Sequence, residues 1–171
     1  MAFPLHPETP PEGRTLEDLF AERSINVKDM VHKLRQKASD LGLPFGTRTM
    51  TYNSRLAQEL AKWAAEKGLE TTYDQTVFRA YFADGLNIGD PTVLVDLATR
   101  IGLSASEAER VLRERIYRDA VDKDWAAAMQ MGVTAVPTIV LNGRAVVGAQ
   151  PSSVLEKFLE ASGVPRSPHM P

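Results

Sequence analysis

The chain has 171 residues, a formal net charge of −2 and no cysteine. That length is enough to bury a real core in one domain. The lack of thiols excludes disulfides and dithiol redox chemistry by these residues, the lack of a basic block gives nucleic acid no electrostatic footprint, and no apolar run approaches a membrane span.

Histidines 6, 32 and 169 lie far apart and show no ligand spacing, so neither a metal nor a cofactor is expected. Residues 1–4 do not read as a signal peptide, and a cytoplasmic location is the default expectation.

Residues 2–5 are apolar, and a Pro-rich loop follows as far as Gly13. The apolar piece reads as the end of a strand or as a frayed terminus. Thr15, with Asp18 three residues on, resembles a capping box, and Leu16, Leu19 and Phe20 share a helical face. Val27, Met30, Val31, Leu34 and Leu41 make a second helical stripe. Asn53 is a good N-cap for a helix carrying Leu56, Leu60, Trp63 and Ala64. Thr72 and Gln75 fit another capping box, ahead of an aromatic face of Val77, Phe78, Tyr81 and Phe82. Asp90 and Pro91 read as N-cap and first-turn proline, with Leu94, Leu97, Ala98 and Ile101 inward. Ser104 and Glu107 cap the next helix, and Val121, Trp125, Ala128 and Met129 stripe the last one before Gly132. Arg110, Arg113, Arg115 and Arg118, among glutamates, read as a solvated face.

Beyond Gly132 the pattern changes. Pro137 cannot donate to a sheet ladder, so it must open a strand. The Val136-Pro137 bond, set between a helix end and an apolar strand, is a candidate cis peptide. Thr138–Leu141 runs into Asn142-Gly143, a strong two-residue hairpin signal. Val146 and Val147 supply the return, and Pro151 opens a helix striped by Val154, Leu155, Phe158 and Leu159. The polar, Pro-rich stretch from Ser167 to Pro171 is expected to be a disordered tail.

The stretch GVTAVPTIVLNGRAVVGAQP, with FPLHPETPPEG and LGLPF upstream, resembles the DsbA family of the thioredoxin superfamily. Within it, the likeness is to the branch around FrnE and 2-hydroxychromene-2-carboxylate isomerase. The resemblance implies an α/β, thioredoxin-like (DsbA-like) fold, mostly helical with a small sheet and a large inserted helical domain. It divides the chain into a remnant strand and loop (1–13), the helical insertion (14–131), the C-terminal half of a thioredoxin core (132–163) and a tail (164–171). The family sets its first strand and its Cys-x-x-Cys or Ser-based site ahead of the FPLHPETP stretch. Phe3 stands almost at the start here, so the expectation is a chain lacking that front end.

The family activity is thiol–disulfide exchange between proteins, which needs a thiolate. With no cysteine, the expectation is a truncated or inactive oxidoreductase. The alternatives are a non-catalytic, chaperone-like module that binds thiol peptides or glutathione, a relative of the glutathione-dependent isomerase, and a purely structural fragment. The resemblance favours a cis Val136-Pro137 bond and makes Val136, Pro137 and Thr138 a substrate-binding loop. Val136, Gln150, Ser152 and Asn53 become candidates for glutathione, Gln150 and Ser152 because free N–H groups at a helix start favour a carboxylate. Plain capping is the competing reading for Gln150, Ser152 and Asn53. The first strand of the family would pair with Thr138–Leu141. Left open, that edge is expected to take up residues 2–5 or a second copy of the chain, or else to destabilise the monomer.

Overall fold

The computed structural model describes residues 1–165; the expected tail beyond Ser167 lies outside them. Among the described residues, eight helices and two two-stranded sheets follow one another. The first sheet is minimal: β1 (Arg14–Thr15) pairs antiparallel with β2 (Met50–Thr51). Between them come α1 (Leu16–Leu19) and α2 (Val27–Asp40). Five helices follow: α3 (Arg55–Glu66), α4 (Glu70–Phe82), α5 (Pro91–Arg100), α6 (Ala105–Glu114) and α7 (Arg118–Gln130). The hairpin β3 (Thr138–Leu141) and β4 (Arg144–Val147) precedes α8 (Ser152–Ala161).

Helix α3 is the hub, packing on α4, α5, α6 and α7. Its inward residues Ala57, Leu60, Trp63 and Ala64 join Leu94 and Val111 in one buried cluster. Apolar area taken from water at ~25 cal/mol per Å² holds these helices together.

Local capping sets several boundaries. Thr15 caps α1 by accepting from the Asp18 N–H at 3.0 Å, and Asp18 accepts from the Thr15 hydroxyl at 2.5 Å. Asp90 caps α5 ahead of Pro91, accepting from the Thr92 N–H at 2.8 Å. Ser104 caps α6 through the Glu107 N–H at 3.3 Å. Replacing Asp90 with Ala should therefore cost about 1 kcal/mol, read as a lower urea midpoint with an unchanged slope.

Other expectations need correction. Residues 2–5 form no strand; their backbone is held by side chains of α3 and α7 instead. Thr72 and Gln75 lie inside α4, whose N-cap is Leu69 and which has no side-chain cap. The N-cap of α3 is Ser54, not Asn53. The expected aromatic face of α4 is split: Val77 is buried, but Phe78 is 61% exposed. Met129 on α7 is also exposed. No residue of α2 is buried, and Leu34 and Leu41 face solvent. Phe78→Ala should thus change stability by about 0.5 kcal/mol or less, checked by thermal melting beside the wild-type protein.

Candidate peptide-binding edge

The hairpin is built by its turn. Asn142 and Gly143 both adopt positive φ, 49° and 73°, the conformation whose twist suits a two-residue connection. The register follows: Leu141 faces Arg144, Ile139 faces Val146 and Thr138 faces Val147. The Val136-Pro137 peptide is cis. The Gly148 N–H donates to the Pro137 carbonyl at 2.8 Å, extending the pairing by one step.

That last bond fixes which way the strand's backbone points. Antiparallel partners alternate between residues that exchange both hydrogen bonds and residues whose N–H and C=O point away. Pro137, Ile139 and Leu141 therefore face β4. The backbone groups of Val136, Thr138 and Val140 point to the opposite side, where no strand pairs among the described residues. No hydrogen bond engages the Val136 backbone among those residues, and Val136 is 45% exposed.

The side chains of the same three residues share one face of the strand and line a cavity of about 230 Å³. Met1, Ala2, Phe3, Ala128, Met131 and Val133 complete its wall, and among the described residues no Lys, Arg or carboxylate side chain lines it. The Thr138 hydroxyl is already committed, donating to the Ala135 carbonyl at 2.6 Å.

The other candidates sit differently. Gln150 lies two residues past Gly148, whose N–H bonds the Pro137 carbonyl, and its amide donates back to the Val147 carbonyl at 2.8 Å. Pro151, not Gln150 or Ser152, is the N-cap of α8, and no side chain caps that helix. Asn53 is fully used. Its amide donates to the Pro7 and Thr9 carbonyls at 2.9 and 3.1 Å, and its oxygen accepts from the Arg55 N–H at 2.9 Å.

One cluster was not legible as a site. Glu59 has a side chain with no exposure, yet it is charged. Arg115 reaches it with two bonds of 2.8 and 2.6 Å, and Arg55 with one of 2.6 Å. Burial pushes the Glu59 carboxyl up, but the hydrogen bonds and charges of Arg115 and Arg55 outweigh it and hold it below the usual range. Arg115 is thus not part of a purely solvated face. The i,i+4 spacing of Arg55 and Glu59 was the available signal. Arg55 also pairs with Asp122 at 2.7 Å and lies 4.6 Å from the centre of the Trp125 ring.

A proline-opened hairpin closed by a terminal helix, behind an array of helices, defines a thioredoxin-type protein with a helical insertion. The profile of the DSBA-like thioredoxin domain matches residues 1–160, and the chain belongs to that family. It is 33% identical over 105 residues to the uncharacterized protein YwbO of Bacillus subtilis (strain 168). That match covers 61% of this chain and 52% of YwbO, so the chain spans about half the length of this curated relative. The crystal structure of a probable DsbA oxidoreductase from Streptomyces coelicolor superposes with a TM-score of 0.83 at 30% identity, covering 99% of this chain and 76% of that one. A 2-hydroxychromene-2-carboxylate isomerase superposes with a TM-score of 0.68 at 21% identity, covering 88% of this chain and 70% of the isomerase, a likeness of fold.

Proposed function

We propose that the chain provides the substrate-holding part of a DsbA-type thiol–disulfide oxidoreductase, gripping an extended polypeptide by strand addition along Val136, Thr138 and Val140. The observation that carries this reading is an unengaged backbone edge above an apolar cavity. Main-chain hydrogen bonds would give such a peptide its affinity, and alternate side chains its selectivity. Thiol exchange requires a thiolate, and these 171 residues have none.

Titrating ¹⁵N-labelled protein with a blocked, threonine-rich heptapeptide tests this. The amide signals of Val136, Thr138 and Val140 should shift, and those of α5 should not. Shifts confined to other elements would refute the reading. Insulin reduction by this polypeptide should not exceed the protein-free rate; clear turnover would show that the chemistry is not thiol-based.

Glutathione is the second reading, favoured by the α8 start that no side chain caps, which follows the Gly148 N–H bonded to the Pro137 carbonyl. Reduced glutathione would then shift Gln150 and Ser152 in the same experiment. A second copy of the chain on the same edge would instead show as concentration-dependent sedimentation.

A further inference from the structure

The C-terminus of α8 is held from the hairpin. The Asn142 amide donates to the Ser162 carbonyl at 2.9 Å, and the Arg144 guanidinium donates to the Ala161 carbonyl at 2.7 Å. Carbonyls in the last turn of a helix have no partner within it. These two side chains supply one donor each and so tie the turn between β3 and β4 to the end of α8. That end is also the negative pole of the helix dipole, which favours a donor or a cation and disfavours an anion.

Asn142 has a second property. It precedes Gly143, and both residues are exposed. The Gly143 N–H bonds no group among the described residues, and a Cβ placed on Gly143 would meet nothing within 4 Å. Its nitrogen is therefore unscreened next to the Asn142 side chain. The other asparagines stand otherwise. Asn26, Asn53 and Asn87 precede Val27, Ser54 and Ile88, whose side chains crowd the backbone nitrogen. Asn53 and Asn87 also use both ends of their amides.

We propose that Asn142-Gly143 is a site of spontaneous deamidation, and that the reaction unlatches α8 from the hairpin. The Gly143 nitrogen, its proton lost to solvent base, bonds to Asn142 Cγ, and the side-chain nitrogen leaves as ammonia. Water opens the cyclic imide that results. Breaking its bond to Cγ leaves aspartate. Breaking its bond to the main-chain carbonyl carbon leaves isoaspartate, with the chain running through Cγ. No oxidant or reductant takes part. Either product sets a carboxylate against the Ser162 carbonyl in place of a donor, at the helix pole that repels it. Isoaspartate also lengthens the backbone of a turn whose two-residue span fixes the register of β3 on β4. The bond to Ser162 immobilises the Asn142 side chain, so ring closure is fastest when α8 has let go. Arg144, holding the same helix end, slows it.

The whole chain, kept in mildly alkaline buffer, is sampled over weeks by peptide mass spectrometry, and hydrogen exchange is measured on the aged protein. Asn142 should convert at least about tenfold faster than Asn26, since glycine leaves the backbone unscreened and free to turn. The Ser162, Gly163 and Val164 amides close the last turn of α8. In the converted protein they should exchange about fivefold faster, the scale of one lost hydrogen bond, and the amides of α3 should not change. Asn142→Asp reproduces one product at once and should give the same pattern. Arg144→Ala should quicken conversion at Asn142 by about threefold, on the same scale. Conversion no faster at Asn142 than at Asn26 overturns the site. Conversion that leaves the α8 amides as they were, or that quickens those of α3 equally, overturns the unlatching. An unchanged rate in Arg144→Ala overturns the control of the reaction by α8.

Discussion

Glu59→Ala is expected to cost about 3–5 kcal/mol, the usual result of breaking a buried ion pair from one side. The acid is shut from solvent while Arg55 keeps only 14% of its side-chain exposure, so the loss leaves a guanidinium short of a partner in a dry place. Arg55 retains Asp122, and Arg115 is 40% exposed and can rehydrate, which draws the figure toward the lower end. Glu59→Gln keeps an acceptor of the same shape and should cost less. Chemical denaturation of all three proteins checks the order.

The same carboxylate gives the fold an acid limit. Its pKa is lowered on folding, so its contribution is complete above the ordinary glutamate value of 4.5 and is lost as pH falls through the folded value. Asp124 adds to this with the same sign: burial raises its pKa, but Lys62 and the Ala2 N–H outweigh that and lower it. Asp74 opposes them, because burial and the nearby Glu70 raise its pKa and favour the protonated form in the folded chain. Asp122, at the surface, is lowered as well by its hydrogen bond to Arg55, and three lowered acids against one raised acid predict a melting temperature that drops as pH goes below about 4.5. The drop should be shallower in Glu59→Gln. A melting temperature flat across that window would contradict the assignment.

Leu60→Ala should be as damaging for a different reason. Leu60 has no exposure and stands on α3, which packs on four other helices. Truncation there removes transfer energy and leaves a void that these helices cannot all close around, about 2–5 kcal/mol. Against a total of ~5–15 kcal/mol, that brings the chain near the limit of folding. A urea curve shifted to a lower midpoint with the same slope would confirm a packing loss.

Where a boundary depends on neighbours in sequence, the sequence was readable. Asp90 before Pro91, Ser104 before Glu107 and Asn142 before Gly143 each act within a few residues, and each stands where local chemistry put it. Thr72 and Gln75 misled because the same spacing also occurs inside a helix, where packing of Tyr73 and Val77 decides. Phe78 misled because periodicity marks a face without saying what covers it. The two-residue strands β1 and β2 are too short to leave a period. Of the candidate site, the Val136 loop was legible through Pro137 and the hairpin. The duties of Asn53, Gln58 and Glu59 were not, because beyond their local bonds each also reaches partners 44 to 67 positions away in the chain.

The small β1–β2 ladder has a consequence for modularity. Arg14 faces Thr51, Thr15 faces Met50, and the Leu16 N–H bonds the Thr49 carbonyl at 2.8 Å. The chain thus leaves the fold and re-enters it at one place, and α2 lies on the excursion between, whose returning end is also tied to α4 where the Gly46 N–H bonds the Phe82 carbonyl and Phe45 stacks on Phe82. Lengthening such an excursion is cheap, since loop-closure entropy grows by only about 0.6 kcal/mol per doubling. The turn before α2 is therefore a natural port for a grafted domain or a reporter: cargo placed there would ride outside the ladder, leaving the helical core and the hairpin on their original path.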